Sequence, residues 1–339
     1  GTSGGTLTFT NGLTAEASST KYLSGMIAAN TATSILKFTT TPVRILADTT
    51  IGGTSTGIIS LAATTLSDGV TLTLGTGNSN PIILASIVGI LNGASSNITI
   101  NTTGSVTLLD KIDVDIDTVS IVNTGGLSSW TVQAKTLSIT SSTAGSAITF
   151  RGNLNLTTSM TVGAGSAAYN IAINGASNTI AGATTFNNAG TLSLGNESTD
   201  TINFTGGVIA TAPSAISVSG TVTAAGTGLI SLGDSDTAIT IAGDSTIGGI
   251  STGQITTGNI NLNNNLTVGA GASSSTPISL AAITGPSSGT KNLTINTAGI
   301  VNVSGAVGTN IGTLTITNSG GTTFGGAVDA ATVTLTNTT

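Results

Sequence analysis

The chain has 339 residues, of which only 6% are charged; seven Lys and Arg, thirteen Asp and Glu and no His give a net charge of −6. This composition lacks the basic surface that binding to nucleic acid or to an anionic membrane requires. A hydrophobic content of 38% argues against disorder, and the absence of Cys excludes disulfides and thiolate metal sites.

The predicted elements are short strands. Apolar and polar residues alternate over short segments, whereas helical periodicity does not persist in any window. β-branched Thr and Val favour the pleated, half-buried environment of a strand. In chain order, the clearest alternations are Thr6–Thr10, Val70–Leu74, Val119–Ile121, Leu137–Ile139, Asn153–Leu156, Ile216–Val218, Ile239–Ile241, Leu314–Ile316 and Val333–Leu335.

Clusters of Gly, Asn, Ser and Ala separate these strands. Gly reaches positive φ without steric cost and Asn tolerates it, so the clusters predict corners. Examples are Gly75-Thr76-Gly77-Asn78, Asn92-Gly93, Gly125-Gly126, Gly163-Ala164-Gly165, Gly206-Gly207 and Gly269-Ala270-Gly271.

A long internal repeat organises the chain. The segment Asp48–Gly57 returns as Asp244–Gly253 with eight of ten residues identical and an offset of 196. The correspondence extends over residues 5–140 and 200–336 at offsets of 195 to 196, and linking coils occupy 141–199. Repeats of units that cannot bury a face alone indicate a solenoid.

We therefore predict an all-β fold, a parallel β-helix (β-solenoid) with coils of about 20 to 25 residues. The prediction treats residues 1–339 as one continuous solenoid segment. Tandem β-sandwiches are the alternative architecture.

Four segments carry a resemblance to a known group of proteins: Gly258-Asn259-Ile260-Asn261-Leu262, Asn292-Leu293-Thr294-Ile295-Asn296, Gly312-Thr313-Leu314-Thr315-Ile316 and Gly320–Val328. Their sequence resembles large repetitive bacterial surface proteins, namely filamentous-haemagglutinin-like adhesins, β-strand-repeat proteins and the passenger regions of rickettsial surface-layer autotransporters. The resemblance covers essentially the whole chain and rests on repeat style. It implies a secreted β-solenoid that forms an adhesive fibre, a filament or a surface coat, without catalytic residues.

Composition and apolar runs bear on localisation. The longest apolar run, Ile82 to Leu91, is too short and too interrupted to span a bilayer. An acidic, Lys-poor and Cys-free composition is typical of prokaryotic surface proteins. We expect an extracellular or microbial cell-surface location, and a segment excised from a longer chain.

The sequence offers little for catalysis. Without His and Cys, serine and cysteine triads are excluded and zinc is implausible. A carbohydrate-active β-helix enzyme would need clustered carboxylates beside a Lys or Arg. The basic residues are instead scattered in sequence: Lys21, Lys37, Arg44, Lys111, Lys135, Arg151 and Lys291. We expect no enzymatic activity and no cofactor, and calcium is the single candidate ion.

The calcium candidate lies in the segment Asp110–Asp117. Strand alternation predicts Asp113, Asp115 and Asp117 on one face, where three like charges repel and Ca²⁺ would relieve the repulsion through hard oxygen ligands. The alternative is a solvated row whose charges block unwanted strand pairing.

The most direct functional prediction is mechanical. Stacked coils form a stiff rod, and self-association of such rods would make a fibre, filament or surface layer. The first alternative is an adhesin stalk that contacts host or glycan surfaces. Grouped aromatics would mark such a surface, and Trp130, Tyr22 and Tyr169 are dispersed in the sequence. The enzyme remains the second alternative.

Overall fold

The computed structural model describes residues 4–16, 19–31, 33–54, 57–249, 253–271, 275–286 and 290–338. Residues 55–56 and 250–252 of the repeated segment lie outside the described residues. The chain divides into two compact units, Gly1–Asn170 and Ile171–Thr339. Within the described ranges there are strands but no helix, and the pairings between neighbouring strands are parallel.

The strands of the first unit are short. They are β1 Thr6–Phe9, β2 Leu13–Ala15, β3 Lys21–Ala29, β4 Leu36–Phe38, β5 Val43–Gly52, β6 Ile59–Leu61, β7 Thr64–Leu66, β8 Thr71–Leu74, β9 Ile82–Leu84, β10 Ile87–Val88, β11 Ser96–Asn101, β12 Val106–Leu108, β13 Lys111–Asp113, β14 Ile116–Asn123, β15 Leu127–Ser129, β16 Thr131–Ile139, β17 Ala147–Phe150 and β18 Leu154–Val162.

Three parallel ladders run through the first unit, and each stacks the same inward position of successive coils. One ladder aligns Leu13, Leu36, Ile59, Ile82, Val106, Leu127 and Ile148. The second aligns Val43, Thr64, Ile87, Ile112, Val132 and Leu154. The third aligns Leu7, Ile27, Ile51, Leu74, Ile100, Ile121, Ile139 and Val162. The spacing gives coils of 21 to 24 residues in the first ladder, within the predicted range.

The second unit has the same construction. Its strands are β19 Asn170–Ile173, β20 Ser177–Ile180, β21 Thr184–Thr185, β22 Thr191–Leu194, β23 Thr201–Phe204, β24 Val208–Ala210, β25 Ala215–Ala224, β26 Ile230–Leu232, β27 Ile239–Ile247, β28 Ile255–Thr257, β29 Ile260–Leu262, β30 Leu266–Gly271, β31 Ile278–Leu280, β32 Ile283–Thr284, β33 Lys291–Thr297, β34 Val301–Val303, β35 Val307–Ser319, β36 Thr322–Phe324 and β37 Val328–Thr338.

Three ladders again line the interior of this unit. The first aligns Thr184, Val208, Ile230, Ile255, Ile278, Val301 and Thr322. The second aligns Ile171, Leu192, Ile216, Ile239, Ile260, Ile283, Val307 and Val328. The third aligns Ile202, Val222, Ile247, Val268, Ile295, Ile316 and Leu335. The pair Ile59 and Ile82 of the first unit has its counterpart in Ile255 and Ile278 at the offset of 196.

Side chains also bond one coil to the next. The Asp244 carboxylate accepts a hydrogen bond from the Asn265 backbone N–H at 3.0 Å, and the Asn265 side-chain oxygen accepts one from the Asn292 N–H at 3.1 Å. The Asn292 side chain accepts in turn from the Thr313 N–H at 2.9 Å. Polar side chains at a corner thus satisfy backbone donors of the following coil.

The predicted parallel β-solenoid is confirmed within each unit, and the alternative of antiparallel β-sandwiches is wrong for the described residues. The small cross-section of the coils explains why the sequence is rich in aliphatic residues and poor in aromatic residues. Aliphatic side chains stack on identical positions of neighbouring coils, so a continuous core forms with few aromatics. The aromatic residues that are buried include Phe186 and Phe204, whose rings meet edge to face.

The outermost strands differ from the prediction of one buried face. The Leu7, Val333 and Leu335 side chains are exposed, although the inward positions of the coils beside them are buried. The reason is that β1 pairs on one side only, with β3, and β37 on one side only, with β35, in the described structure.

A candidate ligand-binding face

Charge is concentrated on one part of the first unit. Seven of the twenty charged residues fall between positions 110 and 151. They lie on three successive coils that contain β13, β16 and β18, and we call this surface the charged face. Its charged residues are Asp110, Lys111, Asp113, Asp115, Asp117, Lys135 and Arg151.

The predicted aspartate row is broken by a corner. Asp113 is the last residue of β13 and Ile116 the first of β14, and between them Val114 and Asp115 have φ values of 54° and 55°. The expectation that Asp113, Asp115 and Asp117 share one face of a single strand is therefore wrong. Alternation holds only within a continuous strand, and two left-handed residues turn the chain.

Two of the three aspartates are ion-paired. Lys111 Nζ lies 2.8 Å from Asp113 Oδ2, and Lys135 Nζ lies 3.1 Å from Asp117 Oδ1. The hydrogen bond from Lys111 to Asp113 and the attraction between their charges raise the pKa of the Lys111 ammonium, and Asp110 adds to the effect. These pairs neutralise four charges of the face, so the like-charge repulsion that would favour a cation is already reduced.

Asp115 has a different role. Its Oδ1 accepts a hydrogen bond from the Ser95 hydroxyl at 2.8 Å, while its Oδ2 is buried without a partner. The equivalent residue of the second repeat is Asn310, which also has a left-handed φ of 65°. Asp and Asn tolerate this conformation better than most residues. The shared feature of the two copies is thus a corner conformation.

Among the residues that the structure describes, no group of three or more acidic, histidine or cysteine side chains is placed to hold a metal ion. Asp113, Asp115 and Asp117 therefore do not form one ligand set. A surface concavity of about 190 Å³ lies beside Asp115 and is lined by Gln133, Lys135 and Thr157 among others.

The same face carries an exposed apolar and aromatic cluster that the sequence did not reveal. Leu109 directly follows β12, Trp130 directly follows β15 and Arg151 directly follows β17. These strands are neighbours, because β15 pairs with both β12 and β17. Leu109 is 58% exposed and Trp130 54% exposed, and Arg151 is exposed too. We call these three residues the tryptophan patch.

A second cluster has the same composition. Tyr22 on β3 is the direct cross-strand partner of Arg44 on β5, and Leu46 lies two residues further along β5. Tyr22 is 63% exposed, and Arg44 and Leu46 are also exposed. We call these three residues the tyrosine patch.

The two patches hold both arginines of the chain and its single tryptophan. Among the described residues, the ion pairs are Lys37–Glu16, Lys111–Asp113 and Lys135–Asp117, so neither arginine has a carboxylate partner. Tyr169, by contrast, is fully buried and donates its hydroxyl hydrogen to the Gly163 carbonyl at 2.6 Å. Trp130 and Arg151 are 21 positions apart in the sequence, which hid their proximity, because one coil must be closed before they become neighbours.

In the described part of the chain, no helix has the length and apolar character needed to cross a membrane. Comparison with known proteins gives no relative: no protein-family model, no curated protein and no solved structure matches the chain. Function is therefore inferred from the geometry of the molecule.

Proposed function

We propose that this chain is a non-enzymatic, extracellular structural segment of a microbial surface, which builds a fibre, filament or coat by stacking β-solenoid coils. The feature that carries the proposal is the parallel stacking of like coils within each unit, which continues from β33 through β35 to β37. In β37, Val333 and Leu335 are partners of Leu314 and Ile316, which are buried, yet they are themselves 49% and 59% exposed.

An added coil would complete this surface. β37 presents unpaired backbone groups together with two apolar side chains, which is a template for another parallel strand. The next strand can come from a second copy or from further chain. In either case the buried columns and the backbone ladder continue without a specialised interface.

The chemistry of the chain supports a mechanical role over a catalytic one. The sequence has neither His nor Cys. The carboxylates of Asp113 and Asp117 are paired with lysines, whereas a catalytic pair would leave one carboxyl group available to transfer a proton.

Negative-stain electron microscopy of the purified chain tests this proposal. We expect regular unbranched fibres or sheets for the unaltered protein. The double substitution Val333→Lys and Leu335→Lys should abolish them, since charged side chains at an exposed edge oppose pairing. Thr334→Lys is the matched control, because Thr334 lies on the same strand with its side chain on the opposite face.

Isolated short rods from the unaltered protein would overturn self-assembly by this segment. That result would favour the second candidate, a monomeric adhesin stalk. The tryptophan and tyrosine patches are the observation that favours this candidate, because exposed Trp, Tyr and Arg are enriched where proteins bind partners.

A further inference from the structure

The two patches recur with one composition in a chain that has few such residues. Each combines an exposed aromatic ring, an exposed leucine and an arginine without a carboxylate partner. Aromatic residues make up only 3% of the sequence. Each patch spans neighbouring coils, and two separate groupings of aromatic, aliphatic and guanidinium groups therefore need a reason outside the core.

The second repeat shows that the fold does not require these side chains. Ser217 and Thr240 are cross-strand partners where the first repeat has Tyr22 and Arg44. Ala242 replaces Leu46, and Ser304 and Gly325 stand where Leu109 and Trp130 stand in the first unit. These coils have the same strand pairing with small residues, so the large side chains of the first unit are free to serve another purpose.

The exposed ring and the guanidinium group of each patch suit a ligand that has both a flat apolar surface and a carboxylate. A guanidinium group binds a carboxylate through two parallel hydrogen bonds. An indole or phenol ring offers a rigid apolar face to which the C–H face of a sugar ring can pack. Adjacent coils lie about 4.8 Å apart, so ring and guanidinium can engage one sugar residue together.

Peptide binding fits this surface less well. The usual modes of peptide recognition need a free strand edge or a groove. β3 pairs with both β1 and β5, and β15 pairs with both β12 and β17, so these strands have no free edge. The patches are exposed and lie on an open face, which suits a polymer lying across the coils.

The spacing also suits a polymer. Along the ladder from β3 through β5, β7, β10 and β13 to β16, five coil steps separate Tyr22 from the coil of Trp130. At about 4.8 Å per step this is roughly 24 Å. A chain of several sugar residues covers that length, and repeated carboxylates would present a partner to each arginine.

We infer that the tryptophan patch, with the tyrosine patch as a second contact, binds a carboxylate-bearing polysaccharide of the uronic-acid class. Ring stacking is supplied by Trp130 and Tyr22, and carboxylate recognition by Arg151 and Arg44. This binding is separate from self-assembly, because neither patch includes residues of β37.

The single tryptophan is a built-in probe of the site. Titration of the full chain with polygalacturonate should shift Trp130 emission to shorter wavelength, and added salt should weaken the binding. Neutral dextran should leave the emission unchanged. Arg151→Gln should weaken binding about tenfold, as expected for loss of one charge-assisted pair. Lys291→Gln, which removes one positive charge in the second unit, should have no effect.

Variants that carry the residues of the second repeat separate binding from folding. One double variant combines Leu109→Ser with Trp130→Gly, and the other combines Tyr22→Ser with Arg44→Thr. In native gels that contain polygalacturonate, both variants should lose the retardation that the unaltered protein shows. Both should retain the wild-type circular dichroism spectrum. An unchanged Trp130 emission and no retardation of the unaltered protein would overturn the inference. So would equal binding of polyglutamate, because that outcome would assign the patches to acidic peptides.

Discussion

The Thr102 hydroxyl donates a hydrogen bond to the Asn80 carbonyl of the preceding coil at 2.6 Å, and it accepts one from the Gly104 N–H at 2.9 Å. The second repeat reproduces this corner: Thr297 donates to the Thr276 carbonyl at 2.6 Å and accepts from the Gly299 N–H at 2.9 Å. One buried hydroxyl thus satisfies a donor of its own coil and an acceptor of the coil before it.

Replacement of this hydroxyl should destabilise the coil. Thr102→Val keeps the shape but removes the hydrogen bond to the Asn80 carbonyl and the acceptor of the Gly104 N–H, so we expect a loss of about 1–3 kcal/mol in the free energy of unfolding. Urea denaturation measures it. Thr103→Val is the control, because the Thr103 side chain is exposed and should change the midpoint little. Equal midpoints for the two variants would contradict the role of Thr102.

Glycine is required at corners for two separable reasons, namely the left-handed backbone conformation and the lack of space for a Cβ atom. Gly195 and Gly145 both have left-handed φ values, of 77° and 71°. A Cβ at Gly195 would collide with the Ser219 carbonyl oxygen, whereas one at Gly145 would meet open space. Gly145→Ala should cost about 1–2 kcal/mol from the backbone conformation alone. Gly195→Ala should cost at least twice as much in the same urea assay, and similar costs would refute the collision.

Stability at alkaline pH should depend on Tyr169. Burial raises the pKa of Tyr169 to about 12 from the ordinary value of 10.0. Between these values the unfolded chain releases the phenolic proton and the folded chain keeps it, so stability falls as pH rises from about 10 to about 12. In a Tyr22→Phe variant, the absorbance change at 295 nm should follow the ionisation of Tyr169 alone, with a midpoint near pH 12. A midpoint near pH 10 in the folded protein would contradict the burial.

Calcium removal should not affect stability. Asp113 and Asp117 are paired with Lys111 and Lys135, and Asp115 forms a corner. A site at 100 times its Kd would stabilise the fold by about 2.7 kcal/mol, which thermal unfolding detects readily. We expect equal melting temperatures with excess calcium and with chelator. A drop in chelator that Asp113→Asn eliminates would restore the metal site predicted from the sequence.

Much of the fold follows from local sequence. The alternation at Ile239–Ile241 becomes the start of β27, and Leu314–Ile316 lies within β35 with its apolar residues buried. Such segments are predictable because strand period and β-branched content agree. The coil length follows as well, since the repeat and the spacing of corners limit it.

Three features could not be predicted from the sequence and became visible only in the structure. The corner at Val114 and Asp115 is hidden because both residues fit an alternating strand pattern. The exposure of Leu335 depends on whether another strand pairs with β37, which local pattern does not encode. The grouping of Leu109, Trp130 and Arg151 depends on coil closure, because each residue lies one coil from the next. The predictions of one continuous segment and of the paired repeat boundaries stay predictions.

Diffraction from aligned assemblies tests the central claim of coil stacking most directly. If copies add to one another as parallel coils through strands such as β37, the strands lie across the fibre axis. The pattern then has a sharp meridional reflection at about 4.8 Å. A reflection of this spacing on the equator, or assemblies without it, would contradict end-to-end stacking and with it the proposed structural function.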